Sequence, residues 1–297
     1  MSPTLPLLAS CLIAGCAIDV ADSTESAETT EYTDEPRISP NGVSLTALRV
    51  PTAAGVTVAG IAPVGISAAG ASIGIAATGA PLAGSAIVGS RWTGHLSDGG
   101  TLTLRLDAAI QGVAPNDDVW SYRVSALSGS TWVPACVDAA GVAALAESVR
   151  GTWSFAQGVA CGGAYHGSAS DFTIACRGSA VSKCIEFGFK PWNGLTLDLV
   201  ACTRAMRADF CGDGRAYTVD GTMVNIFDVS GILPDGVAWA PEAEWTPNGA
   251  SCVSSAAGTR FSQTVQQTPS CYPTTLPANT SCGSGQLGRI ITELPPR

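Results

Sequence analysis

Nine of the eleven cysteines in this chain lie between residues 136 and 282: Cys136, Cys161, Cys176, Cys184, Cys202, Cys211, Cys252, Cys271 and Cys282. No other feature narrows the folding options as much, because each cross-link fixes two points of the backbone together. Clustering of this kind in an exported chain predicts a disulfide framework. Nine is odd, so at most four bridges form within the set and one thiol is spare. Cys176 with Cys184, and Cys202 with Cys211, are candidate local loops, and distant partners are equally allowed. No CxxC pair occurs, which points away from a structural zinc site. No metal and no cofactor is expected.

The other two cysteines speak for export. Leu5 to Ala14 is apolar apart from Ser10 and Cys11, the length of a signal-peptide hydrophobic region and too short to span a bilayer. It runs into Ile13-Ala14-Gly15-Cys16, which resembles a bacterial lipobox, where the cysteine sulfur takes a diacylglycerol and the chain is cut just before it. Residues 1–15 are therefore expected to be a signal peptide and Cys16 the lipidation site. The usual basic residues are missing, since no Lys or Arg precedes Arg37. The alternatives are a secretory peptide cut elsewhere or an apolar N-terminal strand. Asp19, Asp22, Glu25, Glu28, Glu31, Asp34 and Glu35 follow, among Ser, Thr and Ala and with no basic residue. Such a stretch buries too little apolar surface to offset its ordering entropy. Residues 16–41 read as an acidic flexible tether, repelled by an anionic bilayer.

The net charge of −9 and only two lysines, Lys183 and Lys190, leave no basic stripe for phosphates, so nucleic acid is excluded as a main partner. Charged residues make up 13% of the chain and glycine supplies 34 of 297 residues, a texture that suggests mainly β, α+β structure rich in turns.

Glycine recurs every five residues at 55, 60, 65 and 70, and again at 74, 79, 84, 89, 94 and 99, with one four-residue step. A helix disfavours this, because each interior Gly costs up to about 1 kcal/mol. Residues 42–100 are expected to form a β-solenoid-like segment resembling a pentapeptide-repeat array, or else a low-complexity Gly/Ala linker.

Residues 101–290 read as a β-rich globular domain. TLTLRLDAAI, VWSYRVSAL, TWVPAC, DFTIAC and KCIEFGF are predicted strands, DAAGVAALAESVRG and Leu195–Asp209 predicted helices, and YTVDGTMVNIFD a hairpin turning at Asp220-Gly221. The tetrad Ala208-Asp209-Phe210-Cys211, the following Gly212-Asp213-Gly214, the later DGT and the run from Trp245 to Cys252 resemble the ADYC domain over roughly residues 100 to 262. The resemblance implies an exported, cysteine-bearing domain and supplies no reaction. Phe210 stands where the family has tyrosine, so a phenol hydroxyl is absent there.

Asp209, Asp213 and Asp220, with Arg204, Arg207 and Arg215 nearby, form the densest candidate cluster. It can be read as a calcium site using Asp209 and Asp213, a carboxylate site, or a buried ion pair of Asp209 with Arg207 that fixes the loop, with Cys211 in a disulfide. The two histidines, His95 and His166, leave room for a Cys/His or Ser/His/Asp hydrolase through His166 and Ser168, although no GxSxG elbow is present. GSGQLG (283–288) formally matches a dinucleotide motif but lacks the flanking strand and helix that the motif needs. Trp192, Trp239, Trp245 and Tyr217 are candidates for a groove, or simply for core packing. The expectation is an envelope lipoprotein with no catalytic residues, membrane-bound through Cys16 and presenting a binding or structural module to an envelope or extracellular partner. The competing expectation is an exported hydrolase using the Asp209/Asp213 or His166 region.

Overall fold

The computed structural model describes residues 37–40, 43–48, 58–62, 66–69, 72–76, 81–168, 171–255 and 258–296. The expected signal peptide, Cys16 and the acidic run 17–36 lie outside them.

Alternation in sequence becomes a curled seven-stranded sheet. Its order is Ala146–Arg150, Phe172–Cys176, Val58–Ala62, Arg91–Leu96, Thr101–Gln111, Trp120–Ser128 and Thr131–Pro134. Leu104, Leu106, Tyr122, Val124 and Ala126 turn inward and pack with Trp92, Phe172 and Ile174. Each large apolar side chain buried there contributes roughly 1.5–3 kcal/mol. Strand Ala146–Arg150 also meets the far side of the sheet at Ala146↔Tyr122 and Glu147↔Ser121. The sheet therefore folds over its own core, and Cys136–Cys176 pins it.

A second, six-stranded sheet runs Arg37–Pro40, Met223–Asp228, Ile290–Leu294, Ala240–Thr246, Gly249–Ser254, Ala278–Asn279. Helix α1 (Ala180–Glu186) starts on Ser179, whose hydroxyl accepts the Ser182 N–H. Helix α2 (Thr196–Arg207) packs between α1 and this sheet, and its residues from Asp198 onward are all buried. Its charges sit where the helix dipole favours them: Asp198 in the first turn meets Arg289 at 2.9 Å, and Arg204 and Arg207 occupy the last turn. Cys184–Cys202 ties the two helices together.

Several expectations are corrected. KCIEFGF belongs mostly to α1 and is not a strand, because Val181, Cys184 and Ile185 at helical spacing all reach the core. DAAGVAALAESVRG is not a helix. Its alanine-rich part is irregular and Ala146–Arg150 is a strand held by its long-range partner Phe172–Cys176. The turn at Asp220-Gly221 forms, but Met223–Asp228 pairs with Ile290–Leu294 and Arg37–Pro40 rather than with the chain just before it. Residues 37–40 at the end of the expected tether are thus a strand.

Within the glycine repeat, Ile66–Ala69, Ser72–Ala76 and Pro81–Ala83 form an antiparallel meander, and Val58–Ala62 joins the seven-stranded sheet. These described pairings do not form the stacked parallel rungs of a solenoid. The bridges are Cys136–Cys176, Cys184–Cys202, Cys211–Cys271 and Cys252–Cys282, so neither local loop occurs. Cys161 takes part in none of these four bridges. The bridges fit an oxidising, extracytoplasmic compartment. No described helix is long and apolar enough to cross a membrane.

Candidate functional site

The densest chemistry gathers where α2 ends. Ala208 turns the chain into left-handed backbone at φ +52°, with its N–H on Ala205 and the Asp209 N–H on Arg204 at 3.0 Å. That reversal drives the Asp209 carboxylate inward to full burial. There it forms an ion pair with Arg204 and accepts the N–H groups of Asp213 (3.1 Å) and Gly214 (2.9 Å). Arg204 also donates to the Pro247 and Gly162 carbonyls. One turn further, Arg207 donates to the Val43 (2.8 Å) and Gly214 (2.6 Å) carbonyls. Burial pushes the Asp209 carboxyl up, and Arg204 and Arg207 pull it back down. Burial lowers Arg207 as well, with Asp209 opposing. Two arginines and one aspartate thus fasten the helix end to four separate segments.

Phe210 fills the space beneath. Its ring lies 4.9 Å from Trp245, 5.0 Å from Phe261 and 6.4 Å from Tyr217, centroid to centroid. Cys211 is bonded to Cys271. The next residues pack backbone against backbone. Gly212 (φ +64°) and Gly214 (φ +81°) sit so close to their neighbours that a Cβ would overlap the Asn248 and Ala156 carbonyl oxygens respectively. Gly212→Ala is accordingly expected to cost at least about 2 kcal/mol. Gly178→Ala has a similar φ of +88° but open space around it, and is expected to cost only about 1 kcal/mol. Urea unfolding of the two variants checks the difference.

The motif positions and spacing now have a physical account, and the comparison with known families agrees. A family model described as the ADYC domain matches residues 84–258, more than half of the chain. The chain belongs to the ADYC domain family. No curated protein and no solved structure matches it. The ADYC tetrad here comprises a left-handed helix stop, a buried anchor carboxylate, a core ring and a bridge cysteine. At Phe210 a tyrosine hydroxyl would enter the aromatic core, where the Tyr217 hydroxyl is already buried without a partner among the described residues.

The other candidates are dispersed. His166 is exposed on the short strand Tyr165–His166, and His95 is exposed on another strand. The Ser168 hydroxyl is 2.7 Å from Asp171. Asp213 accepts the Arg215 N–H, so Asp209 and Asp213 are both engaged inside their own loop. Trp245 and Tyr217 are fully buried core residues, and the Trp192 ring nitrogen donates to Asp118 at 2.7 Å. Trp239 is half-buried.

GSGQLG has a use that its motif did not suggest. Glu244 is fully buried and accepts the N–H groups of Gly283, Gly285, Leu287 and Gly288 at 2.7–3.0 Å. The glycines wrap the protein's own carboxylate where a phosphate would sit in a nucleotide loop. Glu244 also lies near Cys252 and Cys282, a grouping with metal-type donors, but the two sulfurs are bonded to each other.

Beside the Asp209 knot opens a cleft of about 400 Å³. Its walls include Arg207, Arg215, Leu48, Phe155, Gln157 and Asp220. Neither His166 nor Asp209 lines it.

A second buried carboxyl was not legible in sequence. Glu147 accepts hydroxyls from Ser182 and, at 3.3 Å, Ser121, and lies 3.3 Å from the half-exposed Arg177. Burial, with the nearby Glu186, pushes its pKa up to about 7.

Proposed function

We propose that this protein is an envelope lipoprotein, acylated on Cys16 and held off the bilayer by its acidic segment, whose ADYC domain is a noncatalytic binding or structural module. The observation that carries the reading is the use made of the motif itself. Asp209 is committed to Arg204 and two N–H groups, and Cys211 to Cys271. A catalytic carboxylate or thiolate has to reach a substrate, whereas Asp209 is fully buried and the Cys211 sulfur is held in a bridge. The hydrolase reading is left with an exposed His166 and a half-buried Asp213, neither of which lines the cleft. The partner is an envelope or extracellular component, or the bilayer itself through the lipid.

The anchor is tested by metabolic labelling with a lipid analogue in wild type and Cys16→Ala, followed by disulfide mapping. Label present in wild type and lost in the variant is expected. Label retained in Cys16→Ala would refute the anchor. So would a peptide joining Cys16 to Cys161, because a lipid-bearing thioether sulfur cannot also form a disulfide.

A further inference from the structure

The cleft beside the Asp209 knot has an electrostatic property that its packing role does not account for. Arg207 is 4% exposed, and its guanidinium reaches two carbonyl oxygens. Arg215 is half-buried on the same wall. Neither forms an ion pair among the described residues, whereas Arg204 next to them is paired with Asp209. A carbonyl dipole only partly offsets a full charge, and the Asp209 carboxylate that acts on Arg207 through space is paired directly with Arg204, so two buried guanidinium groups share one anion. Asp220, the carboxylate of the cleft, is exposed and accepts the Val43 N–H at 2.8 Å. Phe155 and Leu48 give the same cavity an apolar side. Its volume falls in the range of small-ligand sites.

We infer that this cleft binds an oxyanion, a carboxylate or phosphate group carried on a small ligand, through the guanidinium groups of Arg207 and Arg215. The planar fork of arginine matches both anions and gives charge-assisted hydrogen bonds. In a chain of net charge −9, the surroundings repel anions, so recognition depends on these two groups at short range. The apolar side would take the body of the ligand. This inference rests on reading the domain as a binding module. It does not depend on acylation, so its failure leaves the labelling result standing.

The test is thermal unfolding of the full chain against rising concentrations of inorganic phosphate and, separately, butyrate, with ionic strength held constant by chloride. At least one anion is expected to raise the midpoint in a saturable way at millimolar concentration. Arg215→Gln is expected to weaken that response about tenfold with little change in the ligand-free midpoint, because Arg215 lies outside the Asp209 ion pair. Arg207→Gln removes a side chain that also fastens the fold, so Arg215→Gln is the deciding variant. A response to phosphate alone assigns a phosphorylated ligand, and one to butyrate alone assigns a carboxylate. No saturable shift with either anion, or an equal shift in Arg215→Gln, would overturn the proposal.

Discussion

Asp209→Ala is expected to lower the unfolding free energy by about 3–5 kcal/mol, the usual effect of removing one partner from a buried ion pair. The loss has three sources. Arg204 remains buried with no carboxylate, since its other contacts are the carbonyls of Pro247 and Gly162. The Asp213 and Gly214 N–H groups lose their acceptor, and an unmet buried donor costs roughly 1–3 kcal/mol. The loop of Gly212 and Gly214, already in tight backbone contact, loses the group that holds it. Asp209→Asn keeps the shape and some acceptance but not the charge, and is expected to fall between the two. Urea denaturation under oxidising conditions measures this. A variant as stable as wild type would mean that the Asp209 carboxylate does not anchor the loop.

The second large effect depends on pH. Glu147 has a folded-state pKa of about 7, above its ordinary value of 4.5. A carboxyl with a raised pKa holds its proton more tightly when folded. Its stabilising contribution is complete below about pH 4.5 and disappears as pH rises through 7. A difference of that size is worth about 3 kcal/mol, and burial of the side chain leaves little solvent screening to reduce it. Wild type is therefore expected to lose about 3 kcal/mol between pH 4.5 and pH 8.5 from this group. Asp209, Asp228 and Glu293 are also pushed up by burial, so the decisive quantity is the difference between wild type and Glu147→Gln. That variant keeps hydrogen-bonding contact with Ser121 and Ser182 but cannot ionise, and it is expected to be more stable than wild type above pH 7. Parallel pH profiles for the two proteins would sink the assignment.

Much of the fold was legible where structure is local. Thr101–Gln111, Trp120–Ser128 and Phe172–Cys176 show the alternation of strands. Helix α2 announces itself through Val200 and Met206, both buried, although Leu197, expected on the same face, is only half-buried. What failed was pairing at a distance. Nothing near Met223–Asp228 reveals that its neighbours are Ile290–Leu294 and Arg37–Pro40. Ala146–Arg150 follows an alanine-rich run with good helix propensity, and its tertiary partner overrides that propensity. Helix α1 has seven residues, too short to hold by itself, and depends on its core side chains and the bridge to α2.

The site was half legible. The family resemblance drew attention to the Asp209 loop, and an ion pair at Asp209 was among the readings, with Arg207 expected as the partner where the structure has Arg204. The left-handed turn at Ala208 gave no sign, since alanine is not the usual residue there. Glu147 and Glu244 were passed over because a lone glutamate ordinarily faces water.

The account rests on the ADYC motif being an anchor of the fold, and a double-mutant cycle on Arg204 and Asp209 tests that most directly. Arg204→Gln, Asp209→Asn and the double variant are compared with wild type by urea unfolding. Coupling of about 2 kcal/mol or more is predicted, with the double variant more stable than the sum of the single losses implies. Additive losses within about 0.5 kcal/mol, with both single variants near wild-type stability, would contradict it and return Asp209 to the list of groups free to act on a ligand.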